Sequence, residues 1–154
     1  MNDGVVLAIE EARALLRANG ARLTHPRLRV LAELLGASEA LSHLELQRRL
    51  GEKSEGEPID RVTLYRVLDW LVDVDLAHKV SGPDRLFRFS VRQAGHPLHG
   101  HFRCAQCQRM FCLEEVPALA RVVKSMLPDG FSSDKVELTV SGSCSQCAMA
   151  AAPA

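Results

Sequence analysis

The sequence predicts an α+β protein in two parts, a winged helix-turn-helix domain over residues 1–90 and a smaller α+β domain over residues 96–147. Two observations support this division. Four early segments repeat apolar residues at helical spacing, and two short strand-like segments follow them. Beyond residue 95 the pattern changes to strand-like segments, one amphipathic helix and two C-x-x-C pairs. Residues 91–95 are expected to form a hinge, and residues 148–154 a frayed tail.

Capping residues mark the starts of the predicted helices. The first helix covers residues 4–19, and the second follows Thr24, whose side chain is suited to cap a helix. The third begins at Ser42 with Glu45 three residues later, which is the pattern of a capping box. The fourth covers residues 60–74. In each helix the apolar residues lie three and four positions apart, so one face of each is expected to join a core.

The fourth helix has a distinctive polar face. Its leucines fall on one side, and Arg61, Tyr65 and Arg66 fall on the other. Residues 76–90 are expected to form a β-hairpin around a Ser-Gly-Pro-Asp turn, which completes the layout of a winged helix. The layout alone fits a helical domain with no DNA role about equally well. The two arginines and the tyrosine favour DNA binding, because such side chains can reach phosphates and base edges in a major groove.

Bulk composition narrows the class of protein without naming a partner. Of the 154 residues, 47% are hydrophobic and 25% are charged, and no apolar run is long enough to span a membrane. The first twenty residues carry early acids and no basic segment, so we expect a cytoplasmic protein with no secretory signal. The net charge is zero, so any DNA binding depends on local basic patches. Five cysteines in such a chain favour metal binding over disulfides.

Four of the five cysteines form two pairs, Cys104 with Cys107 and Cys144 with Cys147. Each C-x-x-C pair can hold two corners of a tetrahedral zinc ion, and the two pairs together would complete a closed, structural site. Such a site would stabilise a small domain whose apolar core is limited. The alternative is a thioredoxin-like redox pair. That motif needs a βαβ setting around a single C-x-x-C, which this sequence does not offer.

The fifth cysteine and several histidines indicate a second metal site. His99 and His101 alternate along a predicted strand, so their side chains point to the same face. If the first cysteine pair lies in a hairpin, Cys112 is on the neighbouring strand, and His78 is on the first wing strand. We predict that these four residues bind a regulatory zinc at the hinge, with His96 as an alternative ligand, since imidazole and thiolate favour zinc over manganese. The competing interpretation makes Cys112 a small buried residue and the histidines surface residues.

Residues 18–147 resemble the Fur family of metal-dependent bacterial repressors. The segment VTLYRVLDWLV is similar to the family's recognition helix, and HGHFRCAQC and CSQC resemble its His-rich strand and zinc-binding pairs. The resemblance implies a homodimer, joined through the C-terminal domain, whose winged helices bind an A/T-rich inverted repeat in promoter DNA. By position, Tyr65 and Arg66 match the family's base and phosphate contacts. Arg22 matches a basic residue that enters the minor groove.

Within the family, the zinc-sensing (Zur) subgroup is the most similar. Its hinge site includes a residue at the position of His78, in a segment similar to LAHKV, together with histidines ahead of the first cysteine pair and a cysteine. The subgroup's wing cysteine is missing near Phe89, and Cys112 replaces an acidic ligand of the family. We infer that the thiolate has moved across the site. Iron-sensing members commonly carry a glutamate where this chain has Arg88, a cation that should repel a metal.

Two further departures from the family pattern concern the C-terminal domain. A second family site there uses His, Asp and Glu ligands. Its positions are Leu98, Gly100, Leu119 and Val136 here, so we expect that site to be lost. The glycine that follows the first C-x-x-C in the family is Gln108 in this chain. This change affects only the turn around Cys104 and Cys107, which we call the knuckle turn.

The leading hypothesis is a zinc-responsive repressor of zinc-uptake genes, which is not an enzyme. The main alternative is a family member that senses iron, manganese or peroxide, although those signals favour sites richer in carboxylates. From another class, a zinc hydrolase would use Cys112, His99 and His101 with an open position, and Glu114 or Glu115 as the base. A further hypothesis is a redox sensor with a reactive Cys112 thiol.

Overall fold

The structure is a computed structural model, and it describes residues 3–52, 56–82, 84–91, 100–113, 117–133 and 136–151. The chain divides into two units, Met1–Gln93 and Ala94–Ala154, each with its own helices and sheet. Of the expected hinge, residues 92–95 lie outside the described residues. Among the helices that the structure describes, none is both long and apolar enough to cross a bilayer.

Four helices make up most of the first unit. They are α1 (Asp3–Ala18), α2 (His25–Leu35), α3 (His43–Glu52) and α4 (Arg61–Asp73). The predicted caps are confirmed. The Thr24 hydroxyl accepts a bond from the Arg27 N–H at 3.5 Å. The Ser42 N–H donates to Glu45 Oε2 at 2.7 Å, and the Glu45 N–H donates to Ser42 Oγ at 3.3 Å, which is the reciprocal pattern of a capping box.

The apolar stripes of the four helices meet in one core. Their central leucines are each at most 1% exposed, and they are Leu16, Leu31, Leu46, Leu64, Leu68 and Leu71. Burying one such side chain fully stabilises the fold by about 1.5–3 kcal/mol. The opposite side of α4 carries the exposed Arg61 and Arg66, as predicted. The helix is therefore held by its apolar face while its basic face meets solvent.

The first unit also contains a three-stranded sheet, with the strands in the order β1 (Leu41–Ser42), β3 (Phe87–Val91), β2 (Ala77–Ser81). The predicted hairpin of β2 and β3 is confirmed, and all neighbours are antiparallel. Strand β1 was not predicted, because two residues are too few to show a period. It pairs Leu41 with Phe89 and Ser42 with Arg88, which attaches the hairpin to the start of α3. Phe89 is 3% exposed and joins the core.

An ion pair closes the turn of this hairpin. Arg88 donates from Nη1 to Asp84 Oδ1 at 3.0 Å and from Nη2 to Asp84 Oδ2 at 2.7 Å. The Leu86 N–H also donates to Asp84 Oδ1, at 3.2 Å. The hydrogen bonds from Arg88 lower the pKa of Asp84 to about 2. The arginine that we expected to repel a metal is thus neutralised within its own turn.

The second unit contains a sheet in the order β5 (Met110–Cys112), β4 (Gly100–Cys104), β6 (Leu138–Gly142). Strand β5 is antiparallel to β4, and β6 is parallel to it. Two helices accompany the sheet, α5 (Pro117–Met126) and α6 (Ser145–Ala151). The three predicted strands and the amphipathic α5 are confirmed.

The end of the chain corrects one expectation. We predicted a frayed tail from residue 148, whereas α6 continues to Ala151, and the Ala148 N–H donates to the Cys144 carbonyl at 2.8 Å. Alanine has the highest helix propensity, so an alanine-rich segment that follows an anchored turn continues the helix. Residues 152–154 lie outside the described residues.

Candidate metal centres and the exposed face of α4

Four thiols from distant parts of the second unit gather in one cluster. Cys104 ends β4, Cys107 lies in the following turn, Cys144 immediately precedes α6, and Cys147 lies in α6. Their Sγ atoms all lie within 4.8 Å of one another, and Cys107 Sγ is 3.8 Å from Cys144 Sγ. Tetrahedral Zn–S bonds of about 2.3 Å place sulfurs about 3.8 Å apart. The donor type and spacing therefore fit a closed, four-sulfur zinc site.

The backbone of the knuckle turn holds the first cysteine pair in place. The Cys104 N–H donates to the Arg109 carbonyl at 3.0 Å, and the Gln108 N–H donates to the Cys104 carbonyl at 3.0 Å. Gln108 has a φ of 61°, in the left-handed region that costs a non-glycine residue about 1–2 kcal/mol. The strain therefore falls on the knuckle turn, which is the part of the site that the departure at Gln108 was expected to affect.

Hydrogen bonds give these thiols unequal acidities. The backbone N–H groups of Cys107 and Cys144 lower the pKa of the Cys104 thiol. The Arg109 guanidinium lowers the pKa of the Cys107 thiol. The pKa of the Cys147 thiol is raised, first by its hydrogen bond with Cys144 and then by burial. A metal that binds all four sulfurs must therefore displace at least the proton on Cys147.

The fifth cysteine lies across the second sheet from a histidine. Cys112 on β5 is directly opposite His101 on β4, and their ligand atoms lie within 4.8 Å of each other. Residues opposite each other in an antiparallel pair point to the same face. His101 is only 7% exposed, whereas Cys112 is exposed. The predicted strand pairing is confirmed, and the competing interpretation of a buried Cys112 and a surface histidine is wrong for this pair.

His78, another predicted ligand of the regulatory site, belongs to the first unit, where it is half-buried on β2 and pairs with Ser90. Outside the described residues lie His96 and His99, together with Glu114 and Glu115, the base candidates of the hydrolase hypothesis. The full set of ligands around His101 and Cys112 therefore stays a prediction.

The exposed side of α4 carries the predicted DNA-binding residues. The Arg61 guanidinium lies 5.6 Å from the centroid of the Tyr65 ring, and Arg66 is exposed one residue further along. His43, the first residue of α3, joins this face, since its ring centroid lies 4.9 Å from that of Tyr65. Arg22 is exposed in the segment before α2. The face combines cationic and aromatic groups of the kinds that contact DNA.

One residue at the cysteine cluster was missed by sequence reasoning. Arg109 donates from Nε to Cys107 Sγ at 3.3 Å and from Nη2 to Cys144 Sγ at 3.7 Å. The available signal was a basic side chain two positions after the first C-x-x-C, where the chain turns back into β5.

Comparisons with known proteins agree with the resemblance found in the sequence. A sequence model of the ferric uptake regulator family matches residues 18–141. A ferric uptake regulation protein from Haemophilus ducreyi is 30% identical over 107 residues, which are 66% of this chain and 68% of that protein.

Solved structures with a similar fold include regulators of different metals. A zinc uptake regulator complexed with zinc and DNA has a TM-score of 0.70 at 21% identity, covering 97% of this chain and 98% of that one. A ferric uptake regulator from Francisella tularensis with iron has a TM-score of 0.66 at 19% identity, covering 84% and 96%. At these identities the likeness concerns the fold. Together with the match over residues 18–141, it places this chain in the ferric uptake regulator family of metal-responsive transcription regulators.

Proposed function

We propose that this protein is a zinc-responsive repressor of zinc-uptake genes, which binds DNA as a homodimer in the cytoplasm. The observation that carries the choice of metal is the pairing of His101 with Cys112 across β4 and β5. This pair supplies an imidazole and a thiolate that take no part in the four-cysteine cluster. Thiolate with imidazole favours zinc over the harder ions manganese and magnesium.

The regulatory site is completed, in this proposal, by His78 and His99, with His96 as the alternative ligand. Three imidazoles and one thiolate make a tetrahedral set that zinc accepts, and with four protein ligands no position is left for a reactive water. Ligands drawn from both sides of the expected hinge would make zinc occupancy depend on how the two units are oriented. A metal that binds one orientation better shifts the population toward it.

The four-cysteine cluster has a different role in this proposal. Two C-x-x-C pairs form a closed site, so its zinc stabilises the second unit and does not respond to the supply of metal. Cys104 and Cys107 tie it to the β4–β5 hairpin, and Cys144 and Cys147 tie it to α6. These links matter because the described residues of the second unit are largely exposed within this single chain, and so small a buried core would leave the unit marginally stable without a metal.

DNA binding is assigned to α4 and the segment before α2. Arg61, Tyr65 and Arg66 would enter a major groove, and Arg22 would contact the neighbouring minor groove. In a homodimer two such helices would read the halves of an A/T-rich inverted repeat. The zinc- and DNA-bound relative of the same fold supports this assignment. To switch DNA occupancy from about 1% to 99%, zinc must favour the binding state by about 10⁴-fold, or about 5.5 kcal/mol.

The test is DNA binding at buffered free-zinc concentrations, followed by fluorescence anisotropy of a labelled A/T-rich inverted repeat. Wild type should gain affinity steeply with zinc. The Cys112→Ser variant should need at least about tenfold more free zinc for half-maximal DNA binding, because it loses a direct metal ligand. Removing a group that only hydrogen-bonds to a ligand already lowers metal affinity by about tenfold.

The variant must keep the zinc of the four-cysteine cluster, which metal analysis after brief chelation checks. Parallel series with iron and manganese test the choice of metal. Equal binding at every zinc concentration, or a response to iron or manganese alone, would show that the protein senses something else.

A further inference from the structure

Arg109 touches both halves of the four-cysteine cluster at once. Its Nε donates to Cys107 Sγ at 3.3 Å, and its Nη2 donates to Cys144 Sγ at 3.7 Å. The same Nη2 also donates to the Gln146 side-chain oxygen. Cys107 belongs to the first C-x-x-C pair, whereas Cys144 and Gln146 belong to the second. One guanidinium therefore joins two pairs that lie 37 residues apart along the chain, counted from Cys107 to Cys144.

The backbone places this guanidinium by means that do not depend on the metal. The Arg109 carbonyl accepts from the Cys104 N–H at 3.0 Å, at the point where the knuckle turn enters β5. The next residue, Met110, pairs with Arg103 on β4 and is 1% exposed. The Arg109 backbone is thus fixed by the hairpin, while its side chain extends over the cluster toward α6. Its cation lies 5.5 Å from the Phe111 ring, which further limits its position.

The charge of a four-thiolate zinc site makes this position significant. Four thiolates and one Zn²⁺ carry a net charge of −2. This charge raises the energy of the sulfur lone pairs and favours protonation of a sulfur by solvent, after which that ligand leaves the metal as a thiol. Hydrogen bonds donated to the sulfurs spread this charge, and groups that hydrogen-bond to metal ligands hold them in place. A guanidinium supplies a full positive charge and a rigid fork with several donors, so it can bond two sulfurs at fixed spacing.

We propose that Arg109 is a positioning residue of the four-cysteine site, which clamps Cys107 and Cys144 together and slows the release of zinc. The inference rests on the proposed zinc occupancy of that cluster. Lysine would replace it only in part, because a single ammonium on a flexible chain lacks the planar fork that reaches both sulfurs. A residue that only packed against α6 would leave the electronic state of the sulfurs unchanged.

The test measures zinc release from the full-length protein to an excess of a coloured chelator, in wild type, Arg109→Ala and Arg109→Lys. Arg103→Ala is the matched control, since Arg103 lies on β4 of the same sheet with its backbone paired to Met110 and Ser141. We expect Arg109→Ala to release zinc at least about tenfold faster than wild type. Arg109→Lys should fall between the two, and Arg103→Ala should match wild type.

Cobalt substitution gives a second readout that a purely structural role would not move. Hydrogen bonds to thiolate stabilise the sulfur lone pairs, so their loss in Arg109→Ala should shift the sulfur-to-cobalt charge-transfer band to lower energy. Zinc release from Arg109→Ala or Arg109→Lys at the wild-type rate would overturn the proposal, and so would equal acceleration in Arg103→Ala. The zinc content of wild type tests the occupancy of the four-cysteine cluster separately from the role of Arg109. A wild-type protein without tightly held zinc would refute the occupancy itself.

Discussion

Replacing Asp84 with asparagine should destabilise the first unit by about 1 kcal/mol. The fall in the Asp84 pKa from 3.8 to about 2, caused mainly by the hydrogen bonds from Arg88, sets an upper limit of about 2.5 kcal/mol. The Asp84 side chain is 37% exposed, so solvent screening reduces this limit to about 1 kcal/mol. The Arg88 side chain is only 11% exposed, and it would lose a charged partner while staying largely buried.

Urea unfolding followed by tryptophan fluorescence measures this effect in the full-length protein. The chain has one tryptophan, Trp70, which lies in α4 with the Arg27 guanidinium 3.8 Å from its ring centroid. Its fluorescence therefore reports on the first unit. Because the folded-state pKa of Asp84 is lowered, the pair stabilises the fold above about pH 4, and this contribution disappears as the pH falls toward 2. The difference between wild type and Asp84→Asn should be constant from about pH 5 to 7 and shrink below about pH 4.

The matched control is Glu52→Gln, which removes another ion pair of the same i,i+4 spacing. Glu52 lies 3.8 Å from Arg48, and both side chains are 68% exposed. An exposed pair of this kind contributes less than about 0.5 kcal/mol. If Asp84→Asn and Glu52→Gln cost the same, or if the cost of Asp84→Asn does not fall in acid, the hairpin pair does not stabilise the unit as reasoned.

Three further outcomes are expected. Leu68→Ala should lower the free energy of unfolding in the same urea assay by about 2–5 kcal/mol, because Leu68 is 0% exposed. Leu44→Ala, at a position that is 55% exposed, should lower it far less. Similar decreases for the two variants would contradict the assignment of the core. His43→Ala should weaken binding of the inverted repeat about threefold, because the aromatic pair with Tyr65 contributes about 0.6 kcal/mol. Zinc affinity in a competition assay should not change. Unchanged DNA affinity would show that the contact with Tyr65 does not position that ring. The zinc affinity of the four-cysteine site should rise about tenfold per pH unit for each proton that zinc displaces. Zinc must displace the proton on Cys147, because the pKa of that thiol is raised in the metal-free cluster. An affinity independent of pH from about 6 to 8 would refute this expectation.

Local patterns in the sequence determined the helices and much of the candidate metal chemistry. The predicted fourth helix over residues 60–74 became Arg61–Asp73 with Asp60 as its cap, because capping bonds and apolar spacing act over three or four residues. The C-x-x-C spacing indicated the four-cysteine cluster for a similar reason, since each pair is itself a local feature. Alternation along β4 and a knuckle hairpin were enough to place Cys112 on the strand beside His101.

Contacts between distant segments were decided only by the tertiary structure. The pairing of β1 with β3, the ring of His43 on Tyr65, and the guanidinium of Arg109 across both cysteine pairs have no periodic signal in the chain. Each depends on where two separately formed elements are brought together, which packing of the cores determines. A sequence states which side chains are available and which face of an element they occupy. Distances between elements, and so the partners of Arg109 and His43, arise only when those faces are packed.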